Sequence, residues 1–418
     1  MPNRPELKFP KNFLWGVSTS AHQVEGNLHN QWSVWELENA KALAAQASYQ
    51  YDDLAHWQTI KKQALHPANY VSGKAVQHYE LFEQDIELVK KLNMNAFRLS
   101  IEWSRVQPAQ DEWSAEAVNH YKAVLATCKK HHIEPIVTLF HFTLPVWFSA
   151  LGGFEKANNV RLFVDFATKI LAELGSDVRY VITVNEPEIY AEQSYHEGRW
   201  PPQHVSKREA WAVQRHLALA HNRIADHLHA TSRRYKVSIA KNYSYIYPGD
   251  DAWLSVRSAH IKQYTNNDWF LKKVIKRCDF IGLNYYFSDR VYGYRVHNPH
   301  HELSDLGWDL EPQYLLQVLE QLYEAYERPI LITENGLADA ADEKRQWWLT
   351  QTILAMQAAL KKNIPLLGYL HWSLLDNFEW DKGFWPKFGL FRVDRSTMKR
   401  TPRPSAVWLA KLLKKIRD

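Results

Sequence analysis

Two short stretches carry residue types that could do chemistry together. Pro329-Ile330-Leu331-Ile332-Thr333-Glu334-Asn335-Gly336 is an aliphatic run that stops at a carboxylate and a turn signal. Tyr180-Val181-Ile182-Thr183-Val184-Asn185-Glu186-Pro187 has the same form, an apolar strand followed by Asn-Glu and a breaker. A Glu that ends a buried strand is costly to desolvate without a partner, whereas one that reaches solvent is ordinary. One such Glu therefore says little. Two of them, each closing an apolar strand, make a pair that a fold can bring together. Paired carboxylates are the chemistry of glycosidic bond cleavage, one as acid/base and the other as nucleophile.

The elements around the pair decide whether it can meet. Apolar strand candidates run over Phe13–Ser18, Ala96–Ile101, Pro135–His141, the stretch ending at Glu186, Val237–Ala240, Phe280–Tyr286, the stretch ending at Glu334, and Leu366–Trp372. Helical periodicity falls between them. One helix carries Tyr79, Phe82, Ile86 and Val89 on a single face, and others cover 115–130, 160–174, 207–231, 252–276, 312–326, 343–362 and 404–417. Residues 27–74 lack a long clean period and read as a long loop with short helical pieces, including Gln50 to Gln63. Eight strands alternating with helices imply parallel pairing and right-handed crossovers. The fold expected is α/β, a single (β/α)8 barrel over residues 1–418, with its site on the C-terminal ends of the strands. Glu186 and Glu334 then open onto the same face.

Composition excludes several classes. The chain has 418 residues, 46% hydrophobic, with a net charge of +5. No basic tract interleaved with aromatics points to nucleic acid. No stretch of about 18 apolar residues offers a membrane span. Met1 to Lys11 is polar and Pro-rich, without the apolar core of a signal peptide, so a cytoplasmic location is expected. Two Cys make no disulfide framework, and Cys128 sits on the apolar stripe Val118, Tyr121, Leu125, Cys128 as a buried thiol. His131-His132, His227 with His229, and His300-His301 have no metal-ligand spacing. No glycine-rich phosphate loop is present. Eighteen Trp and 21 Tyr suit sugar stacking, though most serve packing between helices and barrel.

The motifs Thr-Val-Asn-Glu-Pro at 183–187, Ile-Thr-Glu-Asn-Gly at 332–336 and Trp-Ser-Leu-Leu-Asp-Asn-Phe-Glu-Trp at 372–380 resemble glycoside hydrolase family 1, the β-glucosidases and relatives. The likeness runs from Phe13-Leu14-Trp15-Gly16 to about Pro402. It implies a retaining β-glycosidase that needs no metal or cofactor, acting on a small β-glycoside or short oligosaccharide. Glu334 would be the nucleophile and Glu186 the acid/base. Arg98, Tyr286 and Asn284 would support the nucleophile. Gln23, His141, Asn185 and Glu379 would bind sugar hydroxyls, with Trp372, Trp380 and Phe388 around them. The oligomeric state is left open.

One departure stands out. His141-Phe142-Thr143-Leu144-Pro145 has Phe142 where the family has Trp, which removes an indole N–H that reaches the sugar 3-hydroxyl. The loop Phe287 to Asp309 reads as trimmed, and Asn242, Tyr243 and Trp147 are candidates for the leaving-group side. A 6-phospho-β-glycosidase would carry Ser in place of Glu379, because a carboxylate repels phosphate. A non-catalytic sugar-binding barrel would lack one or both of Glu186 and Glu334. A transglycosylase would use the same residues.

Overall fold

The computed structural model describes residues 8–417, so the first seven residues of the polar N-terminal stretch lie outside the described residues. Eight parallel strands close into a barrel. They are β1 (Leu14–Ser18), β2 (Ala96–Ser100), β3 (Glu134–Thr138), β4 (Tyr180–Asn185), β5 (Lys236–Asn242), β6 (Ile281–Asn284), β7 (Ile330–Asn335) and β8 (Leu366–Trp372). Each pairs with its neighbours in chain order, and β1 closes the ring against β8. The expected (β/α)8 barrel is the fold observed, with strand ends differing by a few residues.

Strands covered on both faces read as continuous apolar runs, and β2, β4 and β7 are buried at every position. Alternation then sorts the two faces. Ile136, Ile182, Leu331 and Leu370 fill the barrel interior. Their neighbours Val137, Val181 and Ile332 join the core shared with the helices. The helix Val160–Leu174 shows why such segments dock. Phe163, Phe166, Ala167, Ile170, Leu171 and Leu174 recur at three- and four-residue spacing and are all buried. Each large side chain stabilises the packed state by roughly 1.5–3 kcal/mol relative to exposure. Gly175, at φ 73°, ends that helix in a conformation other residues resist.

Three expectations change. Residues 27–74 are largely helical: Gln31–Tyr51 is a 21-residue helix and Trp57–Ala64 a second. The buried side of the first helix mixes Trp32 and Trp35 with Glu36, Ala40, Ala44 and Ala47, so its apolar contrast is weak. Glu36 is held by His22 at 2.7 Å and Ser72, which lets a carboxylate occupy the buried side. The break between these helices falls inside the expected Gln50–Gln63 piece. The 252–276 helix is interrupted at Gln263–Asp268 by wider turns. The Phe287–Asp309 segment is not a bare loop. Ser288–Tyr292 and Arg295–Val296 join Tyr245–Pro248 in a three-stranded sheet beside the barrel mouth.

Cys128 and Cys278 are buried free thiols. His229 and His300 each meet one Asp, at 2.9 and 3.1 Å. No helix among the described residues is long and apolar enough to cross a membrane.

The ladder leaves no room at Gly282 in β6, where an added Cβ would lie 2.3 Å from the carbonyl oxygen of Ile239. Gly282→Ala should lower the urea midpoint by the equivalent of about 1–3 kcal/mol, the usual range for overpacking. An unchanged midpoint would mean that β5 and β6 are not packed this closely.

Candidate active site

The last residues of the strands converge on one cleft of about 270 Å3, walled in part by Glu186, Glu334, Asn185 and Tyr286. Register shifts fall just before both carboxylates, between Ile182 and Asn185 on β4 and between Ile332 and Glu334 on β7. Such irregularities re-aim side chains at a barrel rim. Glu186 itself takes a left-handed backbone conformation, φ 41°, which is uncommon for a residue with a side chain. Its N–H donates to the carbonyl of Ala240 at 2.7 Å, tying it to β5.

Arg98 lies at the centre, fully buried. One guanidinium nitrogen pairs with Glu334 Oε1, another donates to Asn185 Oδ1 at 2.7 Å, and Nε donates to Thr138 Oγ1 at 3.0 Å. Tyr286 donates its hydroxyl to Glu334 Oε2 at 2.8 Å. Asn284 receives Thr333 Oγ1 on its carbonyl and donates to Glu186 Oε1 at 2.8 Å. The Asn185 carbonyl accepts from Arg98 and Asn284, so its amide nitrogen faces His141 Nε2 at 3.2 Å.

These contacts separate the two acids. Burial raises Glu186 well above the ordinary carboxylate range, and the charge of Glu334 and then Glu188 pushes the same way. Burial also raises Glu334, but Arg98 and the hydroxyl of Tyr286 oppose it. Of the two, Glu186 is therefore raised the more. Burial, with the charge of Arg98, keeps His141 neutral. Burial and the Glu334 charge hold the Tyr286 phenol well above its usual value, so it stays a donor.

The far wall is aromatic. The rings of Trp372 and Trp380 each lie 6.0 Å from the His141 ring at shallow angles. Phe388 and Tyr286 pack around Trp372. Phe142 is buried against Trp200 and Trp380 and donates nothing. Glu379 lines the cleft with a single distant donor, Gln23 Nε2 at 3.4 Å, and desolvation raises its pKa to about 8. Beside it Asp381 gathers Arg199, Trp200 and Lys382 at 3.0–3.2 and 2.9 Å.

Of the residues assigned to the site from sequence, nine line the cleft directly: His141, Asn185, Glu186, Tyr286, Glu334, Trp372, Glu379, Trp380 and Phe388. Arg98 and Asn284 stand behind the two carboxylates. Gln23 lies beneath Glu379, its amide spent mainly on the Phe378 carbonyl at 2.6 Å. Among the three leaving-group candidates, Asn242 lines the cleft. Trp147 packs on Trp103, and Tyr243 is buried with its hydroxyl on Gln263. Sequence reasoning missed Trp308 and the Arg199-Trp200-Asp381 set. A Trp within a segment read as trimmed, and an Arg-Trp-Pro-Pro run after Gly198, were the available signals.

A family model described as glycosyl hydrolase family 1 matches residues 6–282 and 271–417. A β-glycosidase structure from Pyrococcus horikoshii superposes with a TM-score of 0.86 at 32% identity, covering 98% of this chain and 96% of that one. Beta-glucosidase A of Thermotoga maritima is 28% identical over 97% of this chain and 98% of its own. A chloroplastic galactolipid galactosyltransferase of Arabidopsis thaliana is 30% identical over 79% of this chain, which spans 57% of that protein's length. The eight-stranded barrel and the match along nearly its whole length lead to one conclusion: the chain belongs to glycosyl hydrolase family 1.

Proposed function

We propose that the protein is a retaining, exo-acting β-glycosidase that prefers β-D-glucosides and also cleaves β-D-galactosides and β-D-fucosides. The observation that carries this is the unequal treatment of the two carboxylates. Glu334 has a buried cation and a phenol as donors, and Glu186 has burial and a like charge. Glu334 would attack the anomeric carbon as the C–O bond to the leaving group breaks. Glu186 would give its proton to the departing oxygen, then take one from the water that releases the sugar. The Asn185 amide, oriented by Arg98 and Asn284, is suited to the sugar 2-hydroxyl. Glu379, poor in donors, is suited to the hydroxyls at the far end.

A phosphorylated sugar is disfavoured at that end. Arg199 and Lys382 both meet Asp381, and the carboxyl of Glu379 occupies the position. The galactosyltransferase among the relatives favours a second reading, transfer to a sugar acceptor through the same intermediate. Product analysis at high acceptor concentration separates transfer from hydrolysis.

Three measurements test this reading. In Glu334→Ala, azide or formate should restore turnover with an α-glycosyl product. In Glu186→Ala, azide should give the β-glycosyl azide from substrates with a good leaving group, which need little protonation. NMR of the two azides decides; the same configuration from both would reverse the assignments.

The pH profile of kcat/KM should be a bell. Activity rises as Glu334 loses its proton and falls as Glu186 loses its own at higher pH. Glu186→Gln should remove the alkaline limb, and a limb that persists would belong to another group.

Glu379→Ser should cut kcat/KM on glucosides by about tenfold, the scale of one lost hydrogen bond to the sugar. Equal kcat/KM would exclude Glu379 from sugar binding.

A further inference from the structure

The helix Trp253–Lys262 has its apolar side turned outward. The residues it buries are small, Ser255 and Ala259, and Ala259 packs on Ile246 and Val291 of the three-stranded sheet. Trp253, Leu254, Ile261 and, one turn beyond the last, Tyr264 stand exposed. Trp253, Ile261 and Tyr264 line one shallow groove with Arg257 and His260, so they share a face. A helix docked on a domain normally shows the reverse order, apolar inside and polar outside.

The neighbouring turn extends this face. The Gly293 N–H donates to Ser255 Oγ at 2.8 Å, and a Cβ on Gly293 would lie 3.8 Å from the Leu254 side chain. Tyr294 and Val296 follow, both exposed. Six of the 16 large apolar side chains exposed among the described residues thus gather on two adjacent elements, with Trp253 at 72% and Tyr294 at 68%. Single exposed apolar residues are ordinary, whereas a gathered set marks an interaction surface.

Each of the three aromatics carries a cation. The Arg257 guanidinium lies 5.7 Å from the Trp253 ring centre, the Lys272 ammonium 4.9 Å from that of Tyr264, and the Arg295 guanidinium 5.6 Å from that of Tyr294. Of the acids on these segments, Asp268 and Asp289 turn to the Tyr326 and Ser244 hydroxyls at 2.8 and 3.5 Å. Asp250 and Asp251 precede the helix, and Asp250 accepts the Ala252 N–H at 3.1 Å.

We infer that this face docks on a bilayer that carries anionic lipid. Trp and Tyr rings suit headgroup depth, Leu254, Ile261 and Val296 suit the edge of the acyl chains, and the three cations suit lipid phosphates. Such a peripheral contact needs no spanning segment. A second copy fits worse. It would set three cations against their own kind, and six partly exposed side chains fall short of the roughly 20–30 residues a side of a standard interface. A sugar polymer would stack on the rings and leave the aliphatics and the cations unmatched. The strand Ser288–Tyr292 begins next to Phe287 in the cleft wall, so docking holds the cleft within about 20 Å of the bilayer surface.

The test floats the full chain with vesicles of phosphatidylcholine alone and of phosphatidylcholine mixed with phosphatidylglycerol. Binding to the anionic vesicles should exceed binding to the neutral ones by about tenfold or more, since each cation near such a surface contributes about fivefold. Trp253→Ser keeps every charge and should weaken anionic-vesicle binding by about tenfold, the effect of losing roughly 60 Å2 of buried apolar surface. Arg257→Gln should weaken it by about fivefold. Trp347→Ser, on the helix Arg345–Lys361, should change nothing, with circular dichroism reporting that each variant is folded. No binding to anionic vesicles, equal binding to neutral ones, or undiminished binding by Trp253→Ser would overturn the inference. A dimer in sedimentation velocity that Trp253→Ser dissolves would give the face to a second copy and overturn it too. Retention on an insoluble glucan that is lost in Trp253→Ser would do the same in favour of a polysaccharide.

Discussion

Everything at the barrel mouth depends on one buried ion pair, Arg98 with Glu334. The guanidinium on β2 also reaches Thr138 on β3 and Asn185 on β4, so a single cation ties the ends of four strands. Removing one partner of such a pair leaves an uncompensated buried charge, at a cost of about 3–5 kcal/mol. The pair also pulls the Glu334 pKa down against burial, which raises it. Structural order and the electrostatics of Glu334 therefore come from the same contact.

Asn284 plays the complementary part on the opposite side. It receives the Thr333 hydroxyl, adjoining Glu334, and gives its amide to Glu186. A neutral amide between two acids orients both without neutralising either. Environment then separates them: Arg98 pairs with Glu334, and like charges press on Glu186. Burial raises both carboxyls, and the like charges beside Glu186 raise it further.

Much of this was legible in the sequence because burial on both faces leaves a plain trace. Ile330 to Thr333 and Tyr180 to Val184 could hardly be anything but inner strands, and each ran straight into its carboxylate. The helix Gln31–Tyr51 left a weaker trace, because Ala and Glu36 occupy its buried side and tertiary hydrogen bonds do what apolar residues do elsewhere. The sheet joining Tyr245–Pro248 to Ser288–Tyr292 brings together segments that are distant in the chain, and no local pattern announces that. The same holds for Glu188 and Lys241. Each looks like a surface charge in its own stretch, and only the packing of the short helix Pro187–Ala191 on β5 makes them a buried pair.

Closure of the ring has a kinetic meaning. The seam joins Leu14–Ser18 to Leu366–Trp372, nearly the two extremes of the chain, and β2 docks onto the same first strand. Arg98 and Glu334 lie on opposite sides of that seam, so their ion pair is a contact of very high sequence separation. Contacts of that kind are slow to form, because the intervening chain must first surrender its freedom. Half-built barrels would hold much of the helix and little of the site. During refolding, the return of catalysis should be the last signal to recover, well after the far-ultraviolet circular dichroism.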